Sequence, residues 1–299
     1  MNPSLVILNG VKNLMALRAG FNKFVLLIDY DGTQYHGFQW QANLPTIQNE
    51  LEQAIKKFCG GSSRVMAASR TDAGVHAKGQ VVSFWGKSTL DTATIVKALN
   101  HYLPRDIVVK AAYKADDDFN IRRDALSREY RYYILNDDTR SPFSQSFALF
   151  MPRMLDIEAM NEACQLIQGK HDFISFASSL LLRAKRTNLM KGTRRNVYEA
   201  KVGVLTSPFL SGERNKGRVI VFRVVANSFL PHQVRNTVGL LIRLGLGKIA
   251  IGDFRDIMEA QSLGLAGPTV PACGLCLVKV NYPKPLESNL LTLEGRGLR

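Results

Sequence analysis

The sequence predicts an α+β protein built from two similar halves. Hydrophobic residues make up 46% and charged residues 21% of its 299 residues, which is enough apolar material for a packed core and unlike a disordered chain. Segments rich in β-branched and aromatic residues alternate with segments of helical periodicity, and this pattern starts again near the middle of the chain. We therefore expect helices to cover one face of each sheet, which leaves the other face free to bind a partner.

The first half is predicted to contain three strands and two helices. Residues 24–30 are apolar and β-branched, as is typical of a strand, and the turn residues Asp31 and Gly32 follow them. Thr46 is a good N-cap for a helix whose apolar residues recur at helical spacing until Gly60. The half continues with a strand at 80–84, a helix at 92–102 that ends before Pro104, and a strand at 107–112.

The second half repeats this pattern after an acidic stretch at 116–118, where we place the domain boundary. It begins with a strand at 128–135, in which charged and aromatic residues alternate. It continues with a helix at 157–168, strands at 196–205 and 219–226, helices at 232–246 and 254–260, and a strand at 275–280. The predicted division is an N-terminal extension (1–22), a domain at 23–115, a domain at 116–285 and a tail (286–299).

The charge of the chain suggests a polyanionic partner. Lys and Arg number 39 against 25 Asp and Glu, so the formal net charge is +14. No apolar run approaches the roughly 20 residues that span a bilayer, and the N-terminus has the charge order opposite to that of a signal peptide. The four cysteines are scattered, which fits a reducing compartment, so we expect a cytoplasmic protein.

Two motifs that resemble metal or cofactor sites are better explained as ordinary structure. Cys273 and Cys276 form a C-x-x-C pair, but no second pair or neighbouring histidine accompanies them, and we expect both in a strand. Residues 245–250 match G-x-G-x-x-A, yet they close a helix, whereas a dinucleotide-binding motif follows a strand and opens a helix. We therefore expect no cofactor and no metal site.

One short polar segment concentrates the residues that can carry chemistry. Arg70, Asp72 and His76 lie within seven residues, directly before the strand at 80–84. Loops of this kind commonly hold catalytic groups on a rigid scaffold. From composition alone, an Asp72 that only bonds backbone amides in a turn is an equally good explanation.

The same segment carries a resemblance to a known family. The run RTDAGVHA at 70–77, followed by GQVV at 79–82, closely resembles the signature of the tRNA pseudouridine synthase A family. Further matching runs follow the order of the family: DYDGT at 29–33, TIQ at 46–48, LP at 103–104, FL at 229–230, HQVRN at 232–236 and GL at 274–275. The resemblance extends from about residue 23 to residue 283.

The resemblance implies a fold and an activity. The fold would be two RRM-like or ferredoxin-like halves that form a largely antiparallel central sheet, with helices on one face and an RNA-binding cleft on the other. The activity would be isomerisation of uridine to pseudouridine in the anticodon stem-loop of tRNA, at positions 38, 39 or 40. The family acts as a homodimer that needs no cofactor, and flips the target base out of the helix.

The resemblance also assigns roles to single residues. Asp72 corresponds to the catalytic aspartate, Arg235 to the arginine that pairs with it, and Tyr130 to the tyrosine that stacks on the target uracil. The remaining substrate-binding residues that we carry over are Arg70, Thr71 and Leu275. Two alternatives stay open from the residues themselves: Arg235 could be an exposed helix residue, and Tyr130 could simply pack in its strand.

A basic arm between residues 173 and 198 is the predicted contact for the RNA backbone. It contains six basic residues and no acid, namely Arg183, Lys185, Arg186, Lys191, Arg194 and Arg195. We expect Arg122, Arg123, Lys78 and Lys87 to add to the same groove. An ordinary solvated loop is the alternative explanation for the arm.

Two other classes of function remain open at this point. A sheet with basic edges could belong to a non-catalytic RNA-binding module of RRM-like fold. A lone reactive aspartate could also belong to a hydrolase that forms an acyl or phosphoryl intermediate, but no carboxylate cluster near Asp72 offers the metal site such an enzyme needs.

Overall fold

The computed structural model describes residues 20–178, 192–205 and 218–286, which form ten strands and five α-helices around one large sheet. The strands are β1 Asn22–Tyr30, β2 Met66–Ala67, β3 His76–Gly86, β4 Ile107–Ala115, β5 Ser127–Asn136, β6 Leu149–Met151, β7 Gly169–Asp172, β8 Arg194–Leu205, β9 Arg218–Ala226 and β10 Leu275–Asn281. The helices are α1 Ile47–Cys59, α2 Thr92–Tyr102, α3 Ile157–Leu166, α4 Gln233–Gly245 and α5 Ile251–Glu259.

The sheet consists of two units with the same internal order. Its main path is β4-β1-β3-β10-β5-β9-β8-β7, with β2 paired to β3 and β6 paired to β5. In the first unit, β1, β2, β3 and β4 are arranged so that the first strand lies between the third and the fourth. In the second unit, β5, β8, β9 and β10 repeat that arrangement. Both are ferredoxin-like β-α-β-β-α-β units, so the predicted α+β class with a largely antiparallel sheet is confirmed.

Most elements lie where the sequence predicts them. Thr46 caps α1 as expected, since its side chain accepts a hydrogen bond from the backbone N–H of Asn49 at 3.3 Å. The G-x-G-x-x-A motif does close a helix, because α4 ends at Gly245 and α5 begins at Ile251. Three short strands, β2, β6 and β7, are not predicted, since two to four residues are too few to show a periodicity.

The prediction that both cysteines of the C-x-x-C pair lie in a strand is wrong for one of them. Cys276 lies in β10, but Cys273 lies in a single 3₁₀ turn, 272–274, that leads into the strand. The chain packs closely at this turn, so that a side chain at Gly274 would overlap the ring of Tyr132 and the backbone of Tyr133. Burial raises the pKa of both thiols, that of Cys276 to about 11, so both remain protonated near neutral pH.

β10 joins the two units at the centre of the sheet. It pairs parallel with β3 at two positions, Cys276 opposite His76 and Leu277 opposite Ala77, and antiparallel with β5 along most of its length. The approach to β3 is close, because a side chain at Gly79 would overlap the carbonyl oxygen of Val278. The last strand of the described chain therefore holds the two units together.

Candidate active site

The loop between β2 and β3 carries the polar segment that the sequence predicts to be catalytic. The loop after β1 packs closely against it, and the backbone N–H of Phe38 donates to the carbonyl oxygen of Thr71 at 3.0 Å. A side chain at Gly37 would come within 2.8 Å of that oxygen, and the φ of Gly37, 92°, lies in the left-handed region that glycine tolerates. The two loops thus fix the backbone beside Asp72.

A buried hydrogen-bond network holds the underside of this loop. The hydroxyl groups of Thr71 and Tyr30 lie 2.7 Å apart. The side-chain amide of Gln80 donates to the carbonyl of Ser69 at 2.6 Å and accepts from its N–H at 3.3 Å. Thr71 is buried and its hydroxyl is bound to Tyr30, so its side chain supports the loop from below.

Asp72 lies beside the first turn of α4, which brings two nitrogen atoms to one of its oxygens. Oδ2 of Asp72 is 3.6 Å from Nη1 of Arg235 and 3.5 Å from Nε2 of His232. Nε of Arg235 donates to the carbonyl of Val270 at 2.8 Å, which fixes the guanidinium. Because the Arg235 side chain is only 15% exposed, the alternative of an exposed helix residue does not hold.

Tyr130 lies on β5 with its hydroxyl 2.9 Å from Oγ of Ser69, in the loop that carries Asp72. The ring of Phe229 meets the Tyr130 ring edge to face, with 5.2 Å between centroids. Burial raises the pKa of Tyr130 to about 12; the hydrogen bond with Ser69 lowers it, and the Asp72 charge raises it. The phenol is therefore protonated near neutral pH.

A single cleft of about 990 Å³ is lined by the predicted catalytic and substrate-binding residues and by the two basic-arm residues that the structure describes, Arg194 and Arg195. Asp72, Tyr130, Thr71 and Leu275 all line it. Within the described residues, Asp72 is the only carboxylate of the lining, against seven arginines: Arg70, Arg122, Arg123, Arg128, Arg194, Arg195 and Arg235. Such an excess of fixed positive charge suits a polyanion.

The placement of the cleft on the sheet face opposite the helices, which we expected, is wrong. Val234 of α4 borders a small gap against Val224 of β9, so α4 packs on the face that carries the Val224 side chain. Val224 is directly opposite Tyr130 in the pairing of β9 with β5, and directly opposed residues share a face. The cleft therefore opens on the helical face, between α4 and the loop 69–75.

Comparison with known proteins places this architecture in a family. The family model described as tRNA pseudouridine synthase matches residues 26–123 and 163–283, which is more than half of the chain. The tRNA pseudouridine synthase A of Methylacidiphilum infernorum is 38% identical over 265 residues, which cover 89% of this chain and 97% of that protein. The protein of the same name from Geobacillus kaustophilus is 38% identical over 257 residues, covering 86% and 93%.

This chain belongs to the tRNA pseudouridine synthase A family. It is an isomerase that converts uridine in tRNA to pseudouridine. In the described part of the synthase, no helix has the length and apolarity needed to cross a membrane. The described residues also contain no group of three or more His, Cys, Asp or Glu side chains that could hold a metal ion.

The arginines of the synthase cleft differ in how they are held. Arg70 and Arg194 are exposed, whereas Arg195 is 8% exposed and its Nε has no hydrogen-bond partner among the described residues. Arg128 is structural, because its guanidinium donates to the carbonyls of Ala68, Arg122, Ala125 and Asn227. The other basic-arm residues, Arg183, Lys185, Arg186 and Lys191, lie outside the described residues.

The supplementary basic residues expected in the groove are only partly found there. Arg122 lines the cleft as expected, and burial, together with the charges of Arg70 and Arg128, lowers its pKa. Lys78 instead lines a second cavity of about 590 Å³, and Lys87 lines neither. The prediction is therefore wrong for these two lysines, which follow the catalytic loop in sequence but do not line the cleft.

One residue beside Asp72 was missed in the sequence. His232 belongs to the matching run HQVRN, but neither periodicity nor composition gave it a role. Its nearness to Asp72 depends on a left-handed backbone conformation, with φ 61° and ψ 2°, directly before α4. The available signal was its place in that run, three residues before Arg235.

Proposed function

We propose that this synthase modifies uridines in the anticodon stem-loop of tRNA, with Asp72 as its nucleophile. The observation that carries the assignment is the position of Asp72, the one carboxylate among the described residues of a cleft lined by seven arginines. The Arg235 guanidinium lies 3.6 Å from its Oδ2, so a positive charge faces the oxygen atoms of the proposed nucleophile. The anticodon stem-loop is carried over from the family resemblance.

The reaction needs a nucleophile and a proton acceptor but no redox partner. The N1–C1′ bond of the uridine breaks, the uracil turns while it is held, and a C5–C1′ bond forms. The C5 proton leaves and N1 gains a proton, so the product is an isomer of the substrate. No electrons are gained or lost. A carboxylate oxygen of Asp72 can attack either the uracil ring or C1′ of the ribose. Both routes use the same side chain in the same cleft.

The substrate base must leave its helix before Asp72 can reach it, at a cost of a few kcal/mol. We place the flipped uracil against Tyr130, which lines the cleft although its side chain is mostly buried, and stacking of this kind contributes about 1–3 kcal/mol per base. Arg70 is exposed at the rim of the cleft, two residues from Asp72, where it can contact the displaced nucleotide. Leu275 supplies an apolar contact below the base.

The rest of the tRNA requires a larger surface than one cleft. We place the phosphate contacts on the basic arm, with Arg194 and Arg195 at the end that borders the cleft. A homodimer in the cytoplasm, in which both subunits bind the tRNA, completes the proposal. The domain limits at 23–115 and 116–285 also stay a prediction, and the first of these domains carries the loop with Asp72.

Replacement of Asp72 by asparagine tests the assignment. We expect Asp72→Asn to abolish tritium release from C5-labelled uridine in tRNA and to change tRNA affinity by only a few-fold, because size and polarity are kept. Asp31→Asn is the matched control, since Asp31 is 36% exposed against 35% for Asp72 and also lies beside a histidine, yet it is outside the cleft. It should retain activity.

Two results would contradict the assignment. Tritium release by Asp72→Asn above a small fraction of that of the unaltered enzyme would remove Asp72 as the nucleophile. Equal losses in Asp72→Asn and Asp31→Asn would show that the effect is structural. A purely RNA-binding protein would bind tRNA and release no tritium in any variant.

A further inference from the structure

His232 adopts a conformation that needs an explanation. Its φ of 61° places it in the left-handed region, where a residue with a Cβ atom is disfavoured, and it lies directly before the first residue of α4. Its side chain makes no capping hydrogen bond to the helix. A glycine at this position would avoid the strain, so the imidazole must have a use elsewhere.

The strained backbone directs the imidazole towards the catalytic loop. Nε2 of His232 lies 3.5 Å from Oδ2 of Asp72, and the side chain is 23% exposed within the cleft. Arg235, three residues further along, reaches the same oxygen at 3.6 Å. In the described part of the chain, Oδ1 of Asp72 has no hydrogen-bond or ion-pair partner.

We propose that His232 is a positioning residue that, with Arg235, anchors Oδ2 of Asp72 and so presents Oδ1 to the substrate. This inference rests on the proposed role of Asp72 as the nucleophile. Two nitrogen atoms within 3.6 Å of one oxygen favour one orientation of the carboxylate by electrostatic attraction, and the oxygen without partners is left to form the bond. Arg235 alone, with a single contact at 3.6 Å, would leave the carboxylate freer to rotate.

The neutral imidazole is the form that suits this role. The charged groups that face His232 are Asp72 from the catalytic loop and Arg235 from α4 itself. Burial lowers the pKa of His232; Asp72 raises it, and Arg235 lowers it. A neutral ring with its proton on Nε2 would direct the positive end of its N–H dipole at Oδ2 of Asp72, 3.5 Å away, without adding a second full positive charge, so the carboxylate keeps its nucleophilicity.

Three substitutions separate this role from a merely structural one. His232→Phe keeps a ring but no donor, His232→Gln keeps a neutral N–H donor, and His232→Gly relieves the backbone strain. We expect His232→Phe to lower kcat by about 10-fold or more while KM stays within about threefold of that of the unaltered enzyme. His232→Gln should bring kcat to within about threefold of that of the unaltered enzyme. His232→Gly should lower kcat as His232→Phe does while raising Tm.

The results also distinguish this inference from the proposed function. An active Asp72→Asn would overturn the role of Asp72 and, with it, the inference. An inactive Asp72→Asn together with full kcat in His232→Phe would overturn the inference alone. Losses of kcat that follow losses of Tm across the three variants would likewise show that His232 only stabilises the start of α4.

Discussion

Asp72 combines a fixed backbone with a carboxylate that is still 35% exposed to the cleft. The backbone is held from below by the Tyr30, Thr71 and Gln80 hydrogen bonds, and the side chain is held by residues from a different element, α4. This arrangement restrains the reactive group and still leaves it accessible to substrate. Most of the polar contacts near Asp72 therefore fix its position or face the charge of its carboxylate.

Arg235 is the residue whose loss should most affect the carboxylate. We expect Arg235→Ala to lower kcat/KM by about 100-fold, or about 2.7 kcal/mol, because it removes the positive charge beside Asp72 from a partly desolvated site. Arg243→Ala is the control, since Arg243 lies on the same helix and donates to the carbonyl of Gly267, near the loop that Arg235 contacts. It should stay within about threefold of the unaltered enzyme, and a fully active Arg235→Ala would contradict the ion pair.

The sequence was informative about some site residues and silent about others. Asp72 and Arg235 lie in runs that resemble a family, the same resemblance assigned a role to Tyr130, and the structure brings the three residues into one cleft. His232 lies in the same run as Arg235, but the resemblance gave it no role, and its left-handed φ leaves no periodicity in the sequence. The side of the sheet on which the cleft opens was also mispredicted, since it depends on how α4 packs against β9.

At the scale of elements, the least predictable feature is the place of β10. Its apolar composition indicates a strand, but pairing with β3 joins residues about 200 positions apart, and local sequence does not encode that register. The close approach of the two strands at Gly79 is a consequence visible only in three dimensions.

Gly79→Ala tests how tightly β10 joins the two units. We expect it to lower the free energy of unfolding by about 3 kcal/mol, because the new methyl group would overlap the carbonyl of Val278 and push β10 from β3. Gly203→Ala is the matched control, since Gly203 also lies in a strand and has open space around its Cα. Its effect should stay within about 0.5 kcal/mol, and equal effects in urea unfolding would refute the close approach.

At the scale of the whole molecule, part of the net charge of +14 lies in the cleft. The cleft contributes seven arginines against one aspartate among the described residues, and the basic arm continues from Arg194 towards residues outside them. Binding of tRNA should therefore weaken steeply as salt is added, because neutralised phosphates release counterions.

Replacement of Arg183, Lys185 and Arg186 by glutamine tests the arm. We expect weaker tRNA binding and little change in turnover at saturating tRNA. The slope of the logarithm of the binding constant against the logarithm of the salt concentration should become shallower, by up to about 0.7–0.9 for each phosphate that these side chains no longer neutralise. The control replaces Lys56, Lys57 and Lys97, which are exposed on α1 and α2 away from the cleft, and removes the same charge. Equal slopes in both triple variants would show that the arm is an ordinary solvated loop.

The central position of β10 also has a consequence for biosynthesis. A ribosome makes this strand after every other described strand, so the N-terminal unit can fold first while the edge of β3 at residues 76 and 77 still lacks its neighbour. Leu275, which lines the cleft, lies on this strand, and so does Val278, whose carbonyl approaches Gly79. We therefore expect nascent chains to acquire a complete tRNA-modifying cleft only after β10 has been made and has paired with β3.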